Sequence, residues 1–136
     1  MAENRISELL LKAAFNVHKN VGPGLMTGSY IPCLAYEIRK SGLTVECHKK
    51  MPLVYGDLKV NVGYAVDLLV EKRVLVNIKN CEKFSDLDMA KMQTYLKLSG
   101  CKMGYLINFN VPTLKTGIRR VLFSHIYKSD AVRTAS

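Results

Sequence analysis

Val62-Gly63-Tyr64-Ala65-Val66-Asp67-Leu68-Leu69-Val70, then Glu71-Lys72-Arg73, then Val74-Leu75-Val76-Asn77-Ile78-Lys79, is the stretch that decides the fold. Two runs rich in Val, Leu and Ile flank a short polar break, the pattern of a strand pair. Both faces of each run are apolar, which predicts a central pair covered on both sides. With Glu71-Lys72-Arg73 as a three-residue loop, Val70 pairs with Val74, Leu69 with Leu75, and Asp67 with Asn77. Side chains alternate with period two, so Lys79 shares the face of Asp67 and Asn77. An even loop would shift the parity and scatter these three polar groups. The sequence thus gathers an acid, an amide and a base on an otherwise apolar sheet.

Upstream, Ile6, Leu9, Leu10, Ala13 and Val17 recur at helical spacing and predict an amphipathic helix over 3–20. Gly22-Pro23-Gly24 ends it. A second helix is expected over 29–41, with Leu34, Ala35 and Ile38 inward and Pro32 confined to its first turn. Residues 44–49 and 52–55 read as two short strands before a turn at Gly56-Asp57. Downstream, Ser85 caps a helix over 86–98 with Asp86 and Asp88 in its first turn and Met89, Met92, Tyr95 and Leu96 inward. Residues 103–109 read as a buried strand, and 117–124 as an edge strand or a short helix. A single domain is expected over 1–128, with 129–136 as a small, polar, frayed tail.

The 136 residues carry 20 basic and 11 acidic side chains, a net charge of +9, and 49% hydrophobic composition. That suits one core and favours contact with phosphates or other acidic surfaces. His48-Lys49-Lys50 and Arg119-Arg120 are the densest basic clusters. No apolar run approaches the ~20 residues of a membrane span. Met1 to Arg5 is polar, so no secretion signal is expected. Cys33, Cys47, Cys81 and Cys101 form no CxxC pair and have no histidine at zinc-finger spacing, so free thiols in a reducing intracellular compartment are expected. His18 and His125 stand isolated, which suits a surface or capping role. Tyr30, Tyr36 and Tyr95 read as packing residues.

The order of motifs is similar to that of the GxxExxY proteins, a branch of the PD-(D/E)XK nuclease superfamily. The matching stretches are Ala14 to Lys19 with Gly22-Pro23-Gly24-Leu25, then Cys33-Leu34-Ala35-Tyr36-Glu37, then Gly63 to Val70. Thr94-Tyr95-Leu96-Lys97-Leu98 and Leu106 to Pro112 complete the set. The resemblance covers nearly the whole chain. It implies an α/β, restriction-endonuclease-like core: a mixed central β-sheet flanked by helices.

It also implies a catalytic set, and here the sequence departs from it. The naming motif falls at Gly24 to Tyr30, with Thr27 in its glutamate position. The ExK motif falls at Asn77-Ile78-Lys79, with Asn77 in the glutamate position. A glutamine expected on the following helix falls at Lys91, while Gln93 is expected to point elsewhere. Asp67 and Lys79 match. Two lost carboxylates and one gained lysine make the site about three charge units more positive than the resemblance implies. Two unit charges ~4 Å apart interact by roughly 4 kcal/mol at an effective dielectric of 20, so one such lysine offsets much of a weak magnesium affinity.

The expectation is therefore a vestigial site of Asp67, Asn77, Lys79, Thr27 and Lys91, with Asp67 and Lys79 as an internal ion pair and no bound metal. The leading function is an inactive nuclease-fold protein contacting nucleic acid through Lys79, Lys91, Lys49, Lys50, Arg119 and Arg120, or packing within a nucleoprotein assembly. One alternative is a structural subunit of a large complex, a virus particle or an organelle assembly. Another is an active magnesium-dependent nuclease that borrows Glu37, Glu46 or Glu82.

Overall fold

The computed structural model describes residues 2–124. The tail expected from 129 onward, and His125, lie outside the described residues. Two helices, α1 (Glu3–Val21) and α2 (Thr27–Lys40), precede the long hairpin β1 (Val45–Tyr55) and β2 (Leu58–Val70). Then come β3 (Val74–Lys79), α3 (Asp86–Ser99), β4 (Met103–Asn108), a 3-10 turn over Leu114–Gly117, and β5 (Ile118–Leu122). The sheet runs β1-β2-β3-β4-β5 in chain order. Only β3 and β4 are parallel; the other neighbours are antiparallel. Parallel neighbours need a crossover, and α3 supplies it.

The helices divide the core into two layers. Ile6, Leu10, Leu34 and Ile38 of α1 and α2 pack on Leu68, Val70, Val74, Val76 and Ile78. Met92 and Leu96 of α3 pack on Leu69, Leu75, Leu106 and Val121. Along β3 the side chains alternate between the two layers, which is why its apolar run is continuous. The sequence expectation of a pair covered on both faces holds for β3 and for the last residues of β2. The first half of β2 departs from it: Val62 is 54% exposed and Leu58 61% exposed. The expected strands at 44–49 and 52–55 are one strand, with a register irregularity between Met51 and Leu53.

Local chemistry sets the helix ends. Gly22 stops α1 at φ 74°, and Gly24 turns the chain at φ 103°. Tyr30 is buried, stacks on Phe109 at 4.5 Å, and donates its hydroxyl to the Gly22 carbonyl at 2.6 Å while accepting from the Leu25 N–H at 3.1 Å. With the connection fastened in this way, α2 begins at Thr27, two residues ahead of expectation. Pro32 consequently lies in the second turn, where its ring costs the helix one backbone bond. The cap at Ser85 is as expected and forms a full capping box with Asp88, and Gly100 ends α3 in the left-handed conformation. His18 lies near the end of α1, 2.8 Å from the Val111 carbonyl, and steadies the chain beyond β4.

Gly117 packs against the carbonyl of Asn108 where β4 ends, so closely that an added Cβ overlaps that oxygen. A backbone oxygen has no free rotamer with which to yield. Gly117→Ala is expected to lose about 1–3 kcal/mol of stability, measured as a lower urea midpoint with an unchanged m-value.

Candidate functional site

The β2–β3 hairpin has the register read from the sequence, with Val70 opposite Val74, Leu69 opposite Leu75 and Leu68 opposite Val76. Beyond that step the ladder stops, because β2 turns away. Leu68 and Val70 pack with α1 and α2, yet Val66 packs with α3, so the facing of β2 is reset at Asp67. His48, across from Asp67 on β1, takes a positive φ of 51° at the same point.

Side chains replace the missing ladder bonds. The Asn77 Oδ1 accepts from the Asp67 backbone N–H at 2.9 Å. The Asp67 Oδ2 accepts from the Ile78 N–H at 2.7 Å. Each residue closes the other strand's open donor, forming a reciprocal clasp across the fork. Both side chains are partly buried, where an unpaired N–H is costly.

Lys79 ends β3 and reaches across to α3. Its Nζ lies 3.3 Å from Asp88 Oδ1. Asp88 also accepts from the Ser85 N–H at 2.9 Å through its other oxygen. That bond and, more weakly, Lys79 hold its carboxyl below the ordinary 3.8 against the opposing effect of burial. Burial and the Asp88 charge push the nearby Cys81 thiol up. Asn108, buried beside Lys79 in the parallel ladder, donates to the Cys81 carbonyl at 2.5 Å and accepts from the Asn110 N–H at 2.9 Å.

The expected Asp67–Lys79 ion pair is therefore corrected. Asp67 is satisfied by backbone, and Lys79 is neutralised by Asp88. Asp88 was legible as a capping residue but not as a partner for Lys79. A helix that starts just after a strand end brings its first turn back beside that end, which is the signal that could have found it. Thr27 opens α2, and among the described residues no hydrogen bond or ion pair ties it to Asp67, Asn77 or Lys79. Lys91 is exposed on α3. Gln93 indeed points elsewhere, joining α3 to Leu122 and Ser124.

A strand pair that forks at an aspartate, a lysine two residues beyond the paired amide, and a single helical crossover to a parallel neighbour form a recognisable core. A family model of the PD-(D/E)XK nuclease superfamily matches residues 4–121. The chain belongs to the PD-(D/E)XK nuclease superfamily. No curated protein and no solved structure matches it.

In that superfamily a divalent cation is implied, and the donors present can be weighed against it. Magnesium takes hard anionic oxygens. Asn77 contributes no charge, and its carbonyl oxygen is turned to Asp67's N–H. Asp88 is held by a lysine and a backbone donor. Among the described residues no group of three His, Cys, Asp or Glu side chains could hold a metal ion. The residues at the fork do not fit magnesium. The carboxylates weighed as substitutes are engaged or outlying: Glu37 accepts from Asn16 at 2.7 Å, Glu46 pairs with Lys49 at 3.6 Å, and Glu82 is exposed in the loop after β3.

The basic residues fall into separate groups. Lys49 and Lys50 lie on the edge strand β1, Arg119 and Arg120 on the opposite edge strand β5. Four strand spacings of ~4.8 Å put these edges about 19 Å apart. Arg119 lies over Phe84 at 6.0 Å, on the same side of the sheet as α3, Lys79 and Lys91.

Asp67→Ala leaves the Ile78 N–H without its acceptor and is expected to cost about 1–3 kcal/mol, whereas Asp67→Asn retains an acceptor oxygen and costs less; urea denaturation of both variants checks this. The stabilisation from the depressed Asp88 carboxyl is complete above the unfolded value of about 3.9 and disappears as pH falls through the lower folded one. Lys79→Ala is expected to raise Asp88 only part of the way to 3.8, since Ser85 is the larger cause. A carbon-detected NMR titration of the carboxyl reads this directly.

Proposed function

We propose that this protein, of the GxxExxY branch, is a nuclease fold without metal-dependent cleavage that contacts nucleic acid through the α3 side of its sheet. One observation carries the loss of catalysis: Asp67, Asn77 and Lys79 are each already engaged in holding the fold together. Asp67 and Asn77 serve each other's strands, and Lys79 serves Asp88. The net charge of +9 supports the binding half. Lys79, Lys91 and Arg119 lie on one side of the sheet, and phosphate contacts need basic groups rather than a base-reading element. Lys49, opposite Val66 on the edge strand β1, faces the same side, while Lys50 and Arg120 extend the positive field from the other face.

A second reading is a packing block within a nucleoprotein assembly or virus particle. The β1–β2 hairpin favours it, because Val54, Tyr55, Leu58 and Val62 are more than half exposed near its end. Exposed apolar groups of this kind mark surfaces that another chain covers.

Binding of labelled duplex DNA, single-stranded DNA and RNA, followed by fluorescence anisotropy, tests the first reading. With one phosphate at each of Lys79, Lys91 and Arg119, duplex affinity is expected to fall about 40-fold between about 50 and about 200 mM salt. Arg119→Ala is expected to lower the salt slope by about one. Absence of binding at low salt defeats the proposal. Plasmid DNA is expected to remain intact with magnesium or manganese, and cleavage that disappears in Asp67→Ala overturns the inactive reading. A native mass larger than the monomer, without nucleic acid, supports the packing block instead.

A further inference from the structure

A concavity lies away from the fork, on the outer side of the α1–α2 layer. A groove of about 650 Å³ runs between the two helices, and a second of about 320 Å³ continues it past Glu37. Its apolar positions include Leu9, Ala13 and Val17 of α1 and Cys33 of α2. On α1 these recur at four-residue steps, so they form one stripe along the helix. Three large side chains stand exposed along the groove: Phe15 and Val21 at 44% and Tyr36 at 61%.

We infer that this groove docks an acidic amphipathic helix of a partner protein. Two packed helices leave a channel between their ridges that suits a third helix. From Leu9 to Val21 the channel is about 18 Å long, the length of roughly 12 helical residues. Its charge selects the sign of the partner. Lys12, Lys19 and Lys40 line it and are exposed, and Lys40 Nζ is poised 5.7 Å from the Tyr36 ring centre. The opposing charge is Glu37, whose carboxylate accepts from Asn16 across the groove. An acidic helix with leucines at three- and four-residue steps meets both demands: its apolar stripe fills the floor and its carboxylates reach the lysines. A nucleic-acid backbone meets only the second, leaving the apolar floor unfilled.

A library of randomised 14-residue peptides, selected for binding to the full chain, tests the inference. The triple variant Lys12→Glu, Lys19→Glu, Lys40→Glu serves as the comparison. All three lysines are on the surface, so the variant is expected to fold, and its circular dichroism and urea midpoint verify this. The selected peptides are expected to be acidic, with apolar residues at helical spacing, and to bind the variant about tenfold more weakly. On the isotope-labelled chain they are expected to shift the amide resonances of Ala13, Asn16, Cys33 and Tyr36. Basic or unpatterned peptides overturn the inference, as do equal affinity for the variant and amide shifts elsewhere. Shifts of the same amides by self-association or by duplex DNA also overturn it, by assigning the groove to another occupant. None of these outcomes depends on whether the fork is catalytic.

Discussion

Where β2 leaves β3, two backbone N–H groups face the loss of their acceptors, and the molecule answers with the carboxylate of Asp67 and the amide of Asn77. The sheet cannot split there without some such substitution, since a buried donor left open costs about 1–3 kcal/mol. The identity of residue 77 then has a physical consequence. Two carboxylates facing each other across the fork repel unless a cation lies between them. A neutral amide accepts the same N–H without that repulsion. Asparagine at 77 therefore makes the fork stable by itself, where a glutamate would make it depend on an ion.

The neighbouring pair follows the same logic. Lys79 projects from the end of a central strand toward the first turn of α3, a position that is also favourable for anions. Asp88 takes that position, is fixed by the Ser85 cap, and neutralises the lysine. The helix cap and the ion pair thus reinforce each other, since the side chain that stops the helix from fraying also sets the lysine. The polar residues at and beside the fork thus form part of the framework, and the protein's unbalanced charge is carried by its surface lysines and arginines.

Fold and superfamily were legible because they rest on short-range pattern. The strand pair and its three-residue loop follow from the alternation around Glu71-Lys72-Arg73; the observed pairing agrees for Val70 with Val74 and Leu69 with Leu75, while the expected ladder pair of Asp67 with Asn77 is replaced by side-chain bonds. Capping at Ser85, the stop at Gly100 and the break at Gly22 follow from the conformational preferences of single residues. The start of α2 was misplaced because its cause lies outside the helix: Tyr30 reaches back to Gly22 and Leu25, and no periodicity records that contact. The full extent of the β1–β2 hairpin was underestimated because its outer half lies beyond the helices, where hydrophobic patterning carries no burial signal.

The sequence by itself determined which polar residues meet at the fork, since strand register is a matter of counting once the loop length is known. Only the tertiary structure decided what those residues bond to. Asp67 turned to the Ile78 N–H rather than to Lys79 because β2 veers off at that step and opens a donor, and Lys79 turned to Asp88 because the crossover carries the start of α3 over the end of β3. Partner choice among charged groups depends on distances of a few ångströms between elements remote in the chain, and those distances exist only after the layers have packed.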